Sequence, residues 1–159
     1  MLARIDYTLP LRLVQPVTRD CVWALLWERV AAPERWLEGV NDCEQVTLDF
    51  ETKRLTRRVW WGSEPFDETV TWEELRWLRF VTHPKTGFPG STLTLTLLSG
   101  SEAGDEENGW LLSFSYRRFV QDDERILPDG TDLAEWLTAA YRAADEEYVA
   151  KLVQALQKG

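Results

Sequence analysis

DGTDLAEWLTAAYRAADEEYVAKLVQALQKG, running from Asp129 to Gly159, is the stretch that decides the fold. Pro128, Asp129 and Gly130 carry turn chemistry, and Thr131/Asp132 supply a helix cap with Glu135 three residues after Asp132, as in a capping box. No Gly or Pro then interrupts the chain before Gly159. Leu133, Leu137, Ala140, Tyr141, Ala144, Tyr148, Leu152 and Leu156 recur at three- and four-residue steps, which places them on one helical face. Asp132, Glu135, Arg142, Asp145, Glu146 and Lys151 are expected largely elsewhere around the helix. A helix of roughly 25 residues is ~37 Å long, at a rise of about 1.5 Å per residue. No short helix covers such a length, so it needs a broad partner.

The chain upstream offers one. Ala3 to Leu13 reads as a first strand, ending near Pro16. Thr18 caps a helix through Trp23, Leu26, Trp27 and Val30, and Pro33 opens a second short helix over Ala32 to Gly39. Gly39, Asn41 and Asp42 break that pattern. From Cys43 the period changes to two: Val46, Leu48 and Phe50 mark one strand, and Arg54 to Trp61 another. Phe66 to Trp72, Leu75 to His83, Ser91 to Leu98 and Gly109 to Val120 follow, with loops at Gly62 to Pro65, Pro84 to Gly90 and Ser99 to Asn108. The predicted order is strand, two helices, six strands and a long helix, an α+β architecture in which about seven antiparallel strands curl around the last helix. Antiparallel strands with one apolar face need that face covered, and the terminal helix has the matching stripe. A twisted sheet does not fit a straight rod along its whole length, so space between them is expected.

Composition narrows the class. The 159 residues suit a single domain, residues 1–159, without repeats or a linker. A net charge of −9 disfavours nucleic acid, whose binders present basic stripes to phosphate. No apolar run reaches the ~20 residues of a membrane span. Arg4 and Asp6 sit where a signal peptide would be apolar, so a cytoplasmic location is expected. There Cys21 and Cys43 are expected as free buried thiols. One His and no Cys cluster argue against a structural zinc site, and no cofactor is expected. Homodimerisation is left open. Nine Trp point either to a large aromatic core or to an aromatic-lined cavity.

LLWERVAAPERWLEGV (Leu25 to Val40), RLTRRVWW (Arg54 to Trp61), FSYRRF (Phe114 to Phe119) and AAYRAADEEYVAKL (Ala139 to Leu152), in this element order, resemble the helix-grip fold of the START-like, pollen-allergen-like superfamily (SRPBCC). The chain most resembles the AtaL-like branch. The resemblance implies an apolar cavity between sheet and long helix, of the kind relatives use for lipids, sterols, polyketides or hormones. A minority of those relatives catalyse cyclisation or dehydration. The resemblance carries over no catalytic residues.

The polar candidates come from strand pairing. With Gly62 to Pro65 as the turn, Trp61 faces Phe66, Val59 faces Glu68 and Arg57 faces Val70. Leu55, Arg57, Val59, Trp61, Phe66, Glu68, Val70 and Trp72 then share the apolar face. Arg57 and Glu68 are diagonal neighbours, close enough to pair. The pair reads either as a polar anchor inside the cavity or as an ion pair at its rim. Arg79 joins them if the Glu73–Glu74 turn is tight, whereas a longer loop turns Leu78 and Phe80 inward instead. Tyr116 and Tyr141 lie on inward faces, as ligand-facing phenols or as core rings. His83, the single histidine, reads as a rim residue, because no nucleophile or orienting carboxylate is placed beside it. Asp122, Asp123 and Glu124 lack calcium-loop spacing and read as a solvated turn. The candidate ligand-binding set is Arg57, Val59, Trp61, Glu68, Val70, Trp72, Leu95, Leu112, Phe114, Tyr116, Leu137, Tyr141 and Ala144, around a small, largely apolar molecule. The alternatives are an enzyme of the polyketide cyclase/dehydratase type, and an interaction protein with a filled aromatic core.

Overall fold

The computed structural model describes residues 2–105, 109–120 and 125–158. Asp122, Asp123, Glu124 and the end of the Ser99–Asn108 loop lie outside them. Strand β1 is Leu2–Leu11, helix α1 Arg19–Ala31, and a single 3-10 turn covers Pro33–Arg35. Strands β2 (Val40–Asp49), β3 (Arg54–Trp61), β4 (Glu64–Glu73), β5 (Trp77–Thr82), β6 (Ser91–Ser99) and β7 (Trp110–Phe119) precede helix α2, Leu133–Lys158. The seven strands form one antiparallel sheet in the order β1-β7-β6-β5-β4-β3-β2, curved around α2. This is the helix-grip arrangement that the sequence predicts.

The local chemistry behaves as the residue types dictate. Thr18 caps α1, its hydroxyl accepting from the Cys21 amide at 3.2 Å. Asp132 caps α2, Oδ1 accepting from the Ala134 amide at 2.8 Å. Helix α2 has 26 residues and so extends ~39 Å. On α1 the buried stripe is Val22, Trp23, Leu26, Arg29 and Val30. Its apolar members pack with Leu9, Leu11, Leu55, Val70, Trp72, Leu78, Leu95, Leu97, Leu112, Phe114, Tyr148 and Leu152 in one cluster. Each large side chain buried there contributes about 1.5–3 kcal/mol. Helix α1 and the C-terminal half of α2 therefore fill one end of the concave face.

Several expectations are corrected. The second helix shrinks to a 3-10 turn because the amides of Trp36 and Leu37 both turn back to the Pro33 carbonyl and Gly39 then takes φ +91°. Asn41 and Asp42 do not break the pattern but belong to β2, where a bulge between Val40 and Asp42 absorbs the irregularity. The β3–β4 connection is two residues long, so Arg57 faces Glu68 directly, Val59 faces Phe66 and Trp61 faces Glu64. That slip of two residues keeps every side chain on its predicted face. The β4–β5 loop is the longer one: Trp72 faces Leu78, Val70 faces Phe80, and Arg79 points outward to Thr94 Oγ1 at 3.1 Å. Neither thiol is buried, since Cys21 is exposed and Cys43 half-buried. Asp145, expected off the apolar face of α2, is 3% exposed and lies on it.

Candidate functional site

Between the uncovered part of the sheet and the middle of α2 lies a cavity of about 350 Å³. Its floor is built from facing residues on neighbouring strands. Val59 and Phe66 form one rung, Arg57, Glu68, Thr82 and Ser91 the next, and Phe80, Leu93 and Tyr116 a third. Tyr141, Ala144 and Asp145 of α2 form the roof, and Arg29, Pro33, Leu37, Val40, Trp61 and Phe88 complete the lining, with Val40 and Trp61 paired across β2 and β3. The walls are mostly apolar and aromatic, as ligand sites usually are.

The polar rung is internally satisfied. Arg57 Nε donates to Glu68 Oε1 at 2.9 Å, Nη2 lies 2.8 Å from the same oxygen, and Nη1 donates to the carbonyls of Arg29 (3.0 Å) and Val30 (2.6 Å). Thr82 Oγ1 donates to Glu68 Oε2 at 2.9 Å. Every guanidinium nitrogen of Arg57 thus has a protein partner.

A second polar group sits under α2. Tyr7 and Tyr116 both donate their hydroxyls to Asp145 Oδ2, Tyr116 at 2.7 Å. Burial pushes the Asp145 carboxyl above the usual range, opposed by the Arg29 charge and by the two phenol hydrogen bonds. Burial, then the bond and charge of Asp145, push Tyr7 upward; burial and the Asp145 charge do the same to Tyr116. Tyr148 is pushed up to about 12 by burial. Tyr141 stacks on Tyr116 at 4.5 Å and accepts from Arg118 Nη1 at 3.3 Å.

Arg29 differs from Arg57. It is 6% exposed, and its guanidinium lies over the rings of Phe80 and Tyr148 at 5.4 and 4.6 Å. Its Nε and Nη1 have no hydrogen-bond partner among the described residues. A buried donor left unsatisfied costs about 1–3 kcal/mol, and more when charged.

Of the residues singled out from sequence, Arg57, Val59, Trp61, Glu68, Tyr116, Tyr141 and Ala144 line this cavity. Val70, Trp72, Leu95, Leu112 and Phe114 do not; they pack in the filled core beneath α1. Leu137 packs with Ala3, Ile5 and Val120 beyond the other end. The reason is α1, whose Val22, Trp23, Leu26 and Val30 pack over those five core residues together with Tyr148 and Leu152 of α2. Trp61 is the one indole on the cavity wall, so most of the tryptophan surplus serves packing elsewhere. His83 is not on the wall; its Nε2 lies 2.7 Å from Thr69 Oγ1. Arg29 and Asp145 join the wall without having been singled out from sequence, although spacing marks both. Arg29 follows Val22 and Leu26 on the α1 stripe, and Asp145 lies four after Tyr141 and three before Tyr148.

Among the described residues no three His, Cys, Asp or Glu side chains are grouped to hold a metal, and no helix is long and apolar enough to cross a membrane.

The family model described as AtaL, acetylaranotin biosynthesis cluster protein L, matches residues 5–159. No curated protein matches the chain significantly. Among solved structures, the di-domain aromatase/cyclase StfQ from the steffimycin biosynthetic pathway is similar at 13% identity and TM-score 0.69; the match covers 98% of this chain and 50% of that one, so the chain spans half its length. The Zhui aromatase/cyclase from Streptomyces sp. R1128 is similar at 10% identity and TM-score 0.64, over 99% of this chain and 95% of that one. A START superfamily protein from Mycobacterium smegmatis is similar at 10% identity and TM-score 0.61, over 99% and 97%. At these identities the likeness is one of fold.

Proposed function

This chain belongs to the AtaL family, and from that premise we propose that it binds a small, largely apolar molecule in the cavity between the sheet and α2. The observation that carries the reading is the open space itself. The molecule packs tightly under α1, yet leaves about 350 Å³ beside it, walled by Val59, Phe66, Phe80, Leu93 and Tyr141. Interiors pack to crystal-like density, so about 350 Å³ of unfilled space beside that core exceeds ordinary packing gaps. It also argues against a core filled by indole rings. The similar folds described as aromatase/cyclases and as a START protein support the same direction.

Titration with the neutral fluorophore N-phenyl-1-naphthylamine tests this. Saturable enhancement is expected, with loss on Ala144→Phe, which directs a ring from the helix into the cavity. Native mass spectrometry of protein from its own host is expected to show a co-purifying small molecule. A flat titration together with only the bare protein mass would end the proposal.

A second reading, catalysis on the bound molecule, is favoured by one observation. The Tyr116 phenol sits on the cavity wall and is bonded to the buried Asp145, a pair that holds a proton beside any occupant. Turnover lost on Tyr116→Phe with binding retained would support it; unchanged turnover would exclude that role.

A further inference from the structure

Arg29 is a buried cation in the cavity wall whose Nε and Nη1 donors find no acceptor among the described residues. We infer that the occupant of the cavity carries an oxyanion (a carboxylate, phenolate or enolate oxygen) on an aromatic frame, and that Arg29 receives it. The inference rests on the binding reading above and adds the chemistry of the ligand to it.

The other charged groups facing the cavity already have protein partners. Glu68 accepts from Arg57 and Thr82, Arg57 spends its nitrogens on Glu68 and on the end of α1, and Asp145 accepts from two phenols. Arg57 has its carboxylate at 2.8 Å, whereas Arg29 takes part in none of the ion pairs found among the described residues. Its guanidinium lies over the Phe80 and Tyr148 rings, which engages its charge, and Arg29 also interacts with the Tyr148 hydroxyl, yet Nε and Nη1 keep no acceptor among the described residues. A cationic occupant would meet two guanidinium groups and carboxylates that are already bonded. A plain hydrocarbon would leave the Arg29 donors unmet. An oxyanion satisfies them with charge-assisted hydrogen bonds, which are the stronger kind. The preference is local, because the chain as a whole is acidic at −9. Asp145 Oδ2 is spent on the Tyr7 and Tyr116 hydroxyls, so that carboxyl is already turned to its own donors. Phe66, Phe88 and Tyr141 add aromatic rings to the wall around the frame.

The test displaces bound N-phenyl-1-naphthylamine with 1-naphthoate or with its neutral counterpart 1-naphthylmethanol. The wild-type protein is expected to take 1-naphthoate about tenfold or more tightly than the alcohol, as one charged contact requires. Arg29→Met is expected to abolish that preference, read as the ratio of acid to alcohol affinity at whatever fluorophore affinity the variant has, and Arg29→Lys to restore part of it. Equal competition by acid and alcohol in wild type would overturn the oxyanion receptor and leave the cavity reading standing. A preference that survives in Arg29→Met would do the same. Failure of the fluorophore and of both competitors to bind wild type would overturn both readings.

Discussion

Arg57 and Glu68 stand directly opposite each other on β3 and β4, and the guanidinium reaches past its carboxylate to hold the last carbonyls of α1 at Arg29 and Val30. A cation at a helix C-terminus is favoured by the helix dipole and by carbonyls that have no partner within the helix. The pair therefore fixes where α1 ends on the sheet, and with it the side wall of the cavity. It works as a brace, with four of the five Arg57 N–H donors spent on protein acceptors.

Breaking the brace on one side strands a buried charge. Arg57→Ala is expected to cost roughly 3–5 kcal/mol in urea unfolding. The double change Arg57→Met/Glu68→Leu removes both charges and is expected to recover part of that loss. A single-variant cost below about 1 kcal/mol, the range of exposed pairs, would show that the pair is solvated in solution.

Asp145 sets a pH dependence opposite to that of a salt-bridged carboxylate. Its folded-state pKa lies above the ordinary 3.8, so the folded protein binds more protons than the unfolded chain between 3.8 and the raised value. Its contribution to stability is best at low pH and declines as pH rises through that window. Asp6, Asp67 and Glu102, all shifted downward by hydrogen bonds and neighbouring cations, pull the other way, so a difference measurement is needed. Asp145→Asn keeps an acceptor for Tyr7 and Tyr116 without the charge. The variant is expected to gain Tm over wild type progressively from acid to neutral pH, with the gain shrinking toward 3.8. A difference that is flat with pH would mean that Asp145 titrates as an ordinary carboxyl.

The elements and their order are legible because they follow periodicity, which is local. The alternation in Leu93, Leu95 and Leu97 and the long spacing of α2 are both visible without coordinates. The cavity is less legible, because its extent depends on where α1 crosses the sheet, a long-range fact. Val70 and Phe114 have the same inward alternation as Val59 and Tyr116, yet α1 buries the first two and leaves the second two on the cavity wall. Arg29 and Asp145 are hard to place from sequence because charge ordinarily means exposure. Their positions on the apolar stripes of α1 and α2 are the contrary signal. The turn between β3 and β4 is a smaller case of the same kind, since pairing register is settled by loop length and a slip of two leaves the faces unchanged.

Two residues of α2 separate core from surface. Leu152 is fully buried in the main cluster, whereas Trp136 is 53% exposed. Leu152→Ala is expected to cost about 2–5 kcal/mol through transfer and cavity effects. Trp136→Ala should stay within about 0.5 kcal/mol, despite removing the larger side chain. Comparable losses for both in chemical denaturation would mean that the exposed indole is covered in solution.

Gly90 ties backbone conformation to the polar rung of the site. It has φ +94°, and a Cβ there would lie 3.1 Å from the Thr82 carbonyl and 3.2 Å from the Pro84 ring. Gly87, in the same loop, has φ +82°, but a Cβ added to it would meet nothing within 4 Å. Gly87→Ala therefore measures the conformational cost alone, about 1 kcal/mol. Gly90→Ala adds pressure on the backbone of Thr82, whose hydroxyl donates to Glu68, and is expected to cost about 1–3 kcal/mol. Because Thr82 and Ser91 both line the cavity, Gly90→Ala is also expected to weaken fluorophore binding, while Gly87→Ala leaves it unchanged. Equal stability losses with equal binding would show that the β5–β6 junction relaxes without disturbing the rung.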